Sequence, residues 1–330
     1  MERTFLGRTG VRTSRLAFGT MSFGGDADRA ESARMFGACR DAGVDHFDTA
    51  DVYNDGRSEE ILGGLLADCR DEVVLATKAY FPTGEGPNDR GSSRYHLVRA
   101  VEASLRRLNT DRIDLFYLHR FDDETALDET LRAIDDLVSS GKILYPAASN
   151  FAAWQMMKAQ GVCNARGLAP LVALQPMYNL LKRQAESELL PMAQSERLAV
   201  FPYSPLAGGV LTGKYAPDAR PASGRVVDNA MYATRYGAAS NFEIAGAFSA
   251  LAAEVGHHPV SLAVAWVASH PAVTAPLLGA RNLDQLRPAL AAVEIDMTPE
   301  LRDRVSALSP APATATDRNE EASAHNFGSR

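Results

Sequence analysis

Four side chains in this 330-residue sequence could act together on a proton. They are Asp48 and Tyr53 in HFDTADVYNDGRSEEILG (46–63), Lys78 at the end of VVLATK, and His119 at the end of IDLFYLH. A free tyrosine has a pKa of about 10, too high for easy proton exchange at neutral pH. A neighbouring lysine ammonium would lower it, and an ionised aspartate would hold that lysine in place. An imidazole alongside could orient a substrate oxygen. Such a set suits giving a proton to a carbonyl oxygen, or taking one from an alcohol. Singly, each residue has an ordinary reading: Asp48 as a helix cap, Tyr53 as loop packing, Lys78 as a surface charge, His119 as a satisfied core residue. The spacing favours the joint reading. Asp48 and Lys78 are 30 residues apart and Lys78 and His119 are 41 apart. Each step is one strand-plus-helix unit, so successive strands would deliver all three to one rim.

Those strands are legible as short apolar runs bounded by turn signals: LAFG from Leu16, VDHF from Val44, VVLAT from Val73, IDLFYL from Ile113, ILY from Ile143, LVALQ from Leu171, LAVFPY from Leu198 and VTAPLL from Val273. Their near-continuous apolarity, rich in β-branched and aromatic residues, suits strands buried on both faces of a parallel sheet. Helical patterns fill the gaps. The clearest is SRYHLVRAVEASLRRLN (93–109), where Leu97, Val101, Leu105 and Leu108 form one apolar stripe. Eight such units in about 250 residues predict a (β/α)8 TIM barrel. An open doubly wound sheet is the alternative, but no G-x-G-x-x-G follows the first strand. Residues 1–15 predict a β-hairpin turning at Gly7 and Thr9-Gly10, a plug for the barrel bottom. The expected organisation is one barrel over 1–308 and a flexible polar tail over 309–330. Loops at 79–93 and 215–240 are long enough to be functional or mobile. Pro146, inside the fifth strand, predicts a bulge.

Bulk composition narrows the setting. A formal net charge of -7 disfavours nucleic acid and acidic membranes as partners. Three cysteines without CxxC spacing, no apolar leader and no membrane-length apolar run predict a reduced, cytoplasmic protein. No cluster has metal-ligand spacing, so no metal is expected.

On DTADVYNDGRSEEILG, the lysine of VVLATK and the histidine of DLFYLHRFD, the chain resembles the aldo-keto reductase superfamily, over nearly all of residues 4–308. That resemblance implies a (β/α)8 barrel and hydride transfer from a nicotinamide cofactor, usually NADPH. It implies that Tyr53 is the general acid, that Lys78 and Asp48 tune it, and that His119 orients the carbonyl. It puts Gly19, Thr20, Met21 and Asp48 among the cofactor's contacts. Ser149, Asn150 and Gln175 would take the carboxamide, and Tyr203 would offer its face to the nicotinamide ring. In YSPLAGGVLTGKY (203–215), the turn carrying Ser204, Pro205, Leu206, Gly208 and Lys214 would hold the pyrophosphate. The G-x-x-x-x-G-K spacing there is not an ATP loop, because Tyr215 stands where Ser or Thr is required. In GARNLDQL (279–286), Gly279 and the helix start would hold an anion, with Arg281 on the 2′-phosphate and Gln285 near the adenine. Ala289 departs from the family's usual Asn.

The expected partner is a small carbonyl substrate, met by Met21, Phe23, Tyr80, Phe81 and Phe121 together with Tyr53 and His119. The expected assembly is a monomer or weak homo-oligomer. Relatives with GRSEEILG-type motifs include reductases of sugar or deoxysugar carbonyls. A rival of another class is a cofactor-sensing subunit like the β subunits of potassium channels, which share this barrel. Those carry an N-terminal extension, whereas this chain enters its first hairpin at once.

Overall fold

The computed structural model describes residues 1–315. Most of the expected tail, 316–330, lies outside the described residues. Two short strands, β1 (Arg3–Phe5) and β2 (Arg12–Ser14), form an antiparallel hairpin. Eight parallel strands follow: β3 (Ala17–Gly19), β4 (His46–Asp48), β5 (Val74–Ala79), β6 (Ile113–Leu118), β7 (Ile143–Ser149), β8 (Ala173–Gln175), β9 (Ala199–Val200) and β10 (Leu277–Leu278). They pair in chain order, and β10 returns to β3. Thr274 N–H donates to Val200 O (2.9 Å) and Leu277 N–H to Pro202 O (2.8 Å), which joins the last two strands and closes the ring. The fold is thus a (β/α)8 barrel with an N-terminal hairpin.

Between the strands run α1 (Arg29–Asp41), α2 (Arg57–Leu66), α3 (Arg94–Leu108), α4 (Leu127–Ser139), α5 (Ala153–Arg166) and α6 (Leu189–Ser195). Asp28 caps α1 and Ser93 caps α3, each accepting from a backbone N–H of the first turn. Strand parity divides the core. In β6, Leu115 and Tyr117 join the cluster inside the barrel, while Phe116 and Leu118 join the layer under the helices. Leu6 of the hairpin turn is 1% exposed and belongs to the same barrel-interior cluster, so the hairpin does stopper the bottom.

Two expectations need correction. β7 runs through Pro146 without a bulge, in constant register with β6. Pro146 O still accepts from Val172 N–H (2.9 Å), so only the donor half of one ladder position is lost. The 215–240 segment is not a bare loop. It holds α7 (Arg225–Asp228) and α8 (Ala230–Tyr236), and it buries Tyr215, Tyr232 and Tyr236. After it come α9 (Ala239–Glu254), α10 (Pro259–Ala268), α11 (Leu283–Leu290) and α12 (Pro299–Ser306). The first tail residues are docked: Arg183 donates to Ser309 O (3.1 Å), and Ser187 Oγ to Ala313 O (2.8 Å).

Candidate active site

Asp48, Lys78 and His119 stand at the C-terminal ends of β4, β5 and the turn after β6, all on inward-facing positions. Lys78 is fully buried. Its ammonium bonds the Asp48 carboxylate and donates to Thr49 O (2.6 Å). Gln175, from β8 across the barrel, donates through Nε2 to the other Asp48 oxygen (2.9 Å). The Lys78 ammonium also lies 5.1 Å from the centre of the Tyr53 ring.

Tyr53 is carried by a tight turn after β4. Asn54, Asp55 and Gly56 are all left-handed there (φ 50°, 57° and 85°), a conformation that Asn, Asp and Gly tolerate best. The Asn54 side chain donates to Met21 O (2.9 Å) and Phe23 O (2.8 Å), which ties this turn to the loop after β3. His119 stands edge-on to Tyr53, ring centres 6.1 Å apart, and edge-on to Phe81 at 4.8 Å.

The electrostatics favour a proton donor. Burial pushes the Tyr53 phenol above its ordinary value, although the Lys78 charge pulls it down. The sequence predicted a net lowering, and desolvation reverses that sign. Burial also pushes the Asp48 carboxyl up against the pull of Lys78. For Lys78, burial alone would lower it, but Asp48 and Tyr53 outweigh burial and hold it above its ordinary value. Lys78 is therefore a cation at neutral pH. Burial, with Lys78 nearby, holds His119 well below the usual histidine range, so its imidazole is neutral.

These groups open onto a cavity of about 940 Å³. Asp48, Tyr53, Phe81 and His119 line it, together with Gly19 and Met21 from the end of β3. Ser149, Asn150, Gln175 and Tyr203 form the next part of the wall. They bond one another and His119: Ser149 Oγ donates to Gln175 O (2.9 Å), Asn150 Nδ2 to Ser149 Oγ (3.1 Å) and His119 O (2.9 Å), and Tyr203 OH to Asn150 Oδ1 (2.8 Å). Farther along come Ser204, Pro205, Leu206, Gly208 and Lys214, then Gly279, Arg281 and Gln285.

Five expected residues are placed elsewhere. Lys78 lies behind the wall. Thr20 is buried and bonded to Ser58 Oγ (2.8 Å). Phe23 is a core residue, packed 5.7 Å from Phe18. Tyr80 packs edge-on to Phe81, and Phe121 packs on Phe151 and Trp154. Phe23, Tyr80 and Phe121 therefore do not wall the cavity. Conversely, Arg225, Tyr232 and Arg235 line it and were not anticipated. Tyr232 and Tyr236, four residues apart behind the cap Asn229, carried a helix signal in the sequence.

One end of the cavity is crowded with cations. Partial burial, then the charges of Arg281 and Arg225, hold Lys214 below its ordinary value. Among the described residues neither Lys214 nor Arg225 has an acidic partner within 4.0 Å, whereas Arg281 Nε meets Asp26 at 3.0 Å. Glu31 also accepts from Leu283 N–H (2.6 Å), so a protein carboxylate already occupies the start of α11. Three converging cations suit a polyanionic ligand, and the glycine-lined turn beside them lets it approach the backbone.

Comparison with known proteins agrees with this geometry. Residues 15–309 match the Aldo/keto reductase family. The chain is 41% identical over 327 residues to the "Uncharacterized oxidoreductase YrpG" of Bacillus subtilis (strain 168), covering 96% of this chain and 98% of that one. It is 38% identical over 317 residues to a "Probable voltage-gated potassium channel subunit beta" of Oryza sativa subsp. japonica, covering 93% and 96%. It is 37% identical over 297 residues to "Aflatoxin B1 aldehyde reductase member 2" of Mus musculus, covering 84% and 79%. Since the chain spans 96% of the rice subunit, length does not separate a reductase from a subunit of that kind.

Proposed function

The chain belongs to the aldo/keto reductase family, and within it we propose an NADPH-dependent reductase of aldehydes or ketones, with Tyr53 as general acid. The observation that carries this reading is the buried Asp48–Lys78 pair set beside Tyr53 at the floor of a large cavity. When bound, the cofactor would supply a hydride to the carbonyl carbon. Every other part of the work falls to the chain. Tyr53 gives its proton to the carbonyl oxygen, and the phenolate left behind is stabilised by Lys78. Asp48 fixes the Lys78 ammonium and keeps it charged. The neutral His119 donates an N–H to the same carbonyl oxygen and so orients it. Ser149 and Gln175 would hold the carboxamide, and Tyr203 would offer its face to the nicotinamide ring. Lys214, Arg225 and Arg281 line one end of the cavity and would meet the phosphates, which supports NADPH over NADH.

Met21 and Phe81 give the substrate end an apolar wall, suited to hydrophobic carbonyls. Steady-state NADPH oxidation against a panel of aldehydes and ketones tests the reading. Turnover well above the cofactor blank is expected, and none with any carbonyl would overturn it. The potassium channel relatives favour a second reading, a cofactor-sensing subunit. That protein would bind NADPH tightly and oxidise about one equivalent without sustained turnover.

A further inference from the structure

Behind the tetrad lies an acidic group that the proposed chemistry does not use. Asp51, three residues past β4, is 3% exposed. Neither of its carboxyl oxygens has a hydrogen-bond partner among the described residues. Its backbone N–H donates to Lys78 O (3.1 Å), so Asp51 is tied to the strand position that carries the ammonium. Three charged groups act on it: Glu59 from α2, Arg107 from α3 and Lys78 from β5. Glu59 is fully buried and its oxygens are taken. Oε1 accepts from Thr77 Oγ1 (2.6 Å), and Oε2 accepts from Arg107 Nε (2.7 Å). Arg107 therefore neutralises Glu59 and leaves Asp51 without a counterion in contact. A buried carboxyl with no side-chain partner and only the Val52 backbone N–H nearby, beside a second carboxylate, keeps its proton rather than its charge. Burial first, then the Glu59 charge, pushes Asp51 up to about 8, against Arg107, the Val52 backbone N–H and Lys78.

We propose that Asp51 is a positioning residue whose proton sets how strongly Lys78 acts on Tyr53. While Asp51 is neutral, Asp48 is the one carboxylate in contact with Lys78 that offsets its pull on the phenol. Once Asp51 ionises, a negative charge stands behind Lys78 and weakens that pull, so Tyr53 keeps its proton to higher pH. Reduction needs the protonated phenol, and alcohol oxidation needs the phenolate. Asp51 thus biases the site toward reduction in alkaline solution, where the phenol titrates. The inference rests on the tetrad reading above, and its test is built so that the two can fail separately.

The first arm needs no turnover. The unfolded chain releases the Asp51 proton near the ordinary value of 3.8, and the folded chain holds it to about 8. Between those values the folded state binds the extra proton. The stabilisation it brings is fully present below the lower value and is lost as pH rises through the upper one. Asp51→Asn has no such proton. Its melting temperature relative to the parent should therefore rise by about 3–6 °C between about pH 5 and about pH 8, then level off. A pH-independent difference would overturn the proposal.

The second arm follows kcat/KM in both directions on parent and Asp51→Asn. The alkaline limb of reduction and the onset of alcohol oxidation should both move to lower pH, by about one unit, or tenfold in the acid constant. Limbs that stay in place in an active variant would also overturn it. A parent without turnover would sink the reductase reading and leave the melting experiment to decide the protonation of Asp51. If Asp51→Asn does not fold, Asp51→Ser carries the same expectations, and failure of both would make Asp51 a folding residue and nothing more.

Discussion

At the scale of single residues, the proposed tetrad predicts that chemistry and binding can be separated. Tyr53→Phe keeps the ring and its packing but has no proton to give. Turnover should fall by about 10²–10⁴ while NADPH affinity is unchanged, because the cation cluster lies at another part of the cavity. Stopped-flow reduction beside a fluorescence titration checks both halves, and near-parental turnover would rule Tyr53 out as the acid. Lys78→Met is a poorer test alone, since it strands the Asp48 charge in the core at about 3–5 kcal/mol. Lys78→Met with Asp48→Asn avoids that cost. At the far end, Arg281→Ala should reduce the preference for NADPH over NADH by about 1.5–3 kcal/mol. Because Asp26 holds Arg281 in the free protein and must release it, the lower part of that range is expected. Equal affinities of the parent for both cofactors would leave the selectivity claim without a basis.

Among the elements, α2 packs tightly on the end of α3 at Gly63. A Cβ there would lie 2.5 Å from Leu108 O and 2.7 Å from Leu108 Cα, with backbone that cannot step aside. Gly63→Ala should destabilise by about 1–3 kcal/mol, despite alanine's better helix propensity. Gly161, inside α5, has nothing within 4 Å of an added Cβ, and Gly161→Ala should stabilise by about 0.5–1 kcal/mol. Denaturant melts of the pair should give opposite signs, and two shifts of the same sign would discount the close-packing argument. The contact matters to the site because α2 follows directly from the Tyr53 turn, and Arg107 of α3 lies over Gly56 in that turn.

For the whole molecule, the hairpin stopper is the feature most open to test. Leu6 closes the barrel interior, and its turn runs so near β9 that a Cβ on Gly7 would lie 2.7 Å from Ala199 N. Leu6→Ala should cost about 2–4 kcal/mol through the cavity it leaves. It should leave kcat unchanged, since the stopper and the tetrad sit at opposite ends of the barrel. Thermal melts and steady-state assays measure the two effects, and a fall in kcat without a fall in stability would contradict this division. No helix among the described residues is long and apolar enough to cross a membrane.

The sequence alone determined the barrel and the positions of Asp48, Lys78 and His119. A two-residue side-chain period and a strand-plus-helix repeat fix which residue ends each strand and which way it points. Ser149 and Gln175, at the ends of β7 and β8, lie on the cavity for the same reason, whereas Met21, Tyr203 and Arg281 stand past strand ends and were expected there from the family resemblance. Past a strand end that periodicity stops, so Phe23, Tyr80 and Phe121 could not be told from wall residues until the loops were folded. The sign of the Tyr53 shift likewise depended on burial that no spacing reveals. Tertiary structure alone brought Arg281 to Asp26, Glu31 to the start of α11, and Glu59 with Arg107 behind Asp51. These contacts join residues far apart in the chain, on elements whose order was legible but whose facing side chains were not.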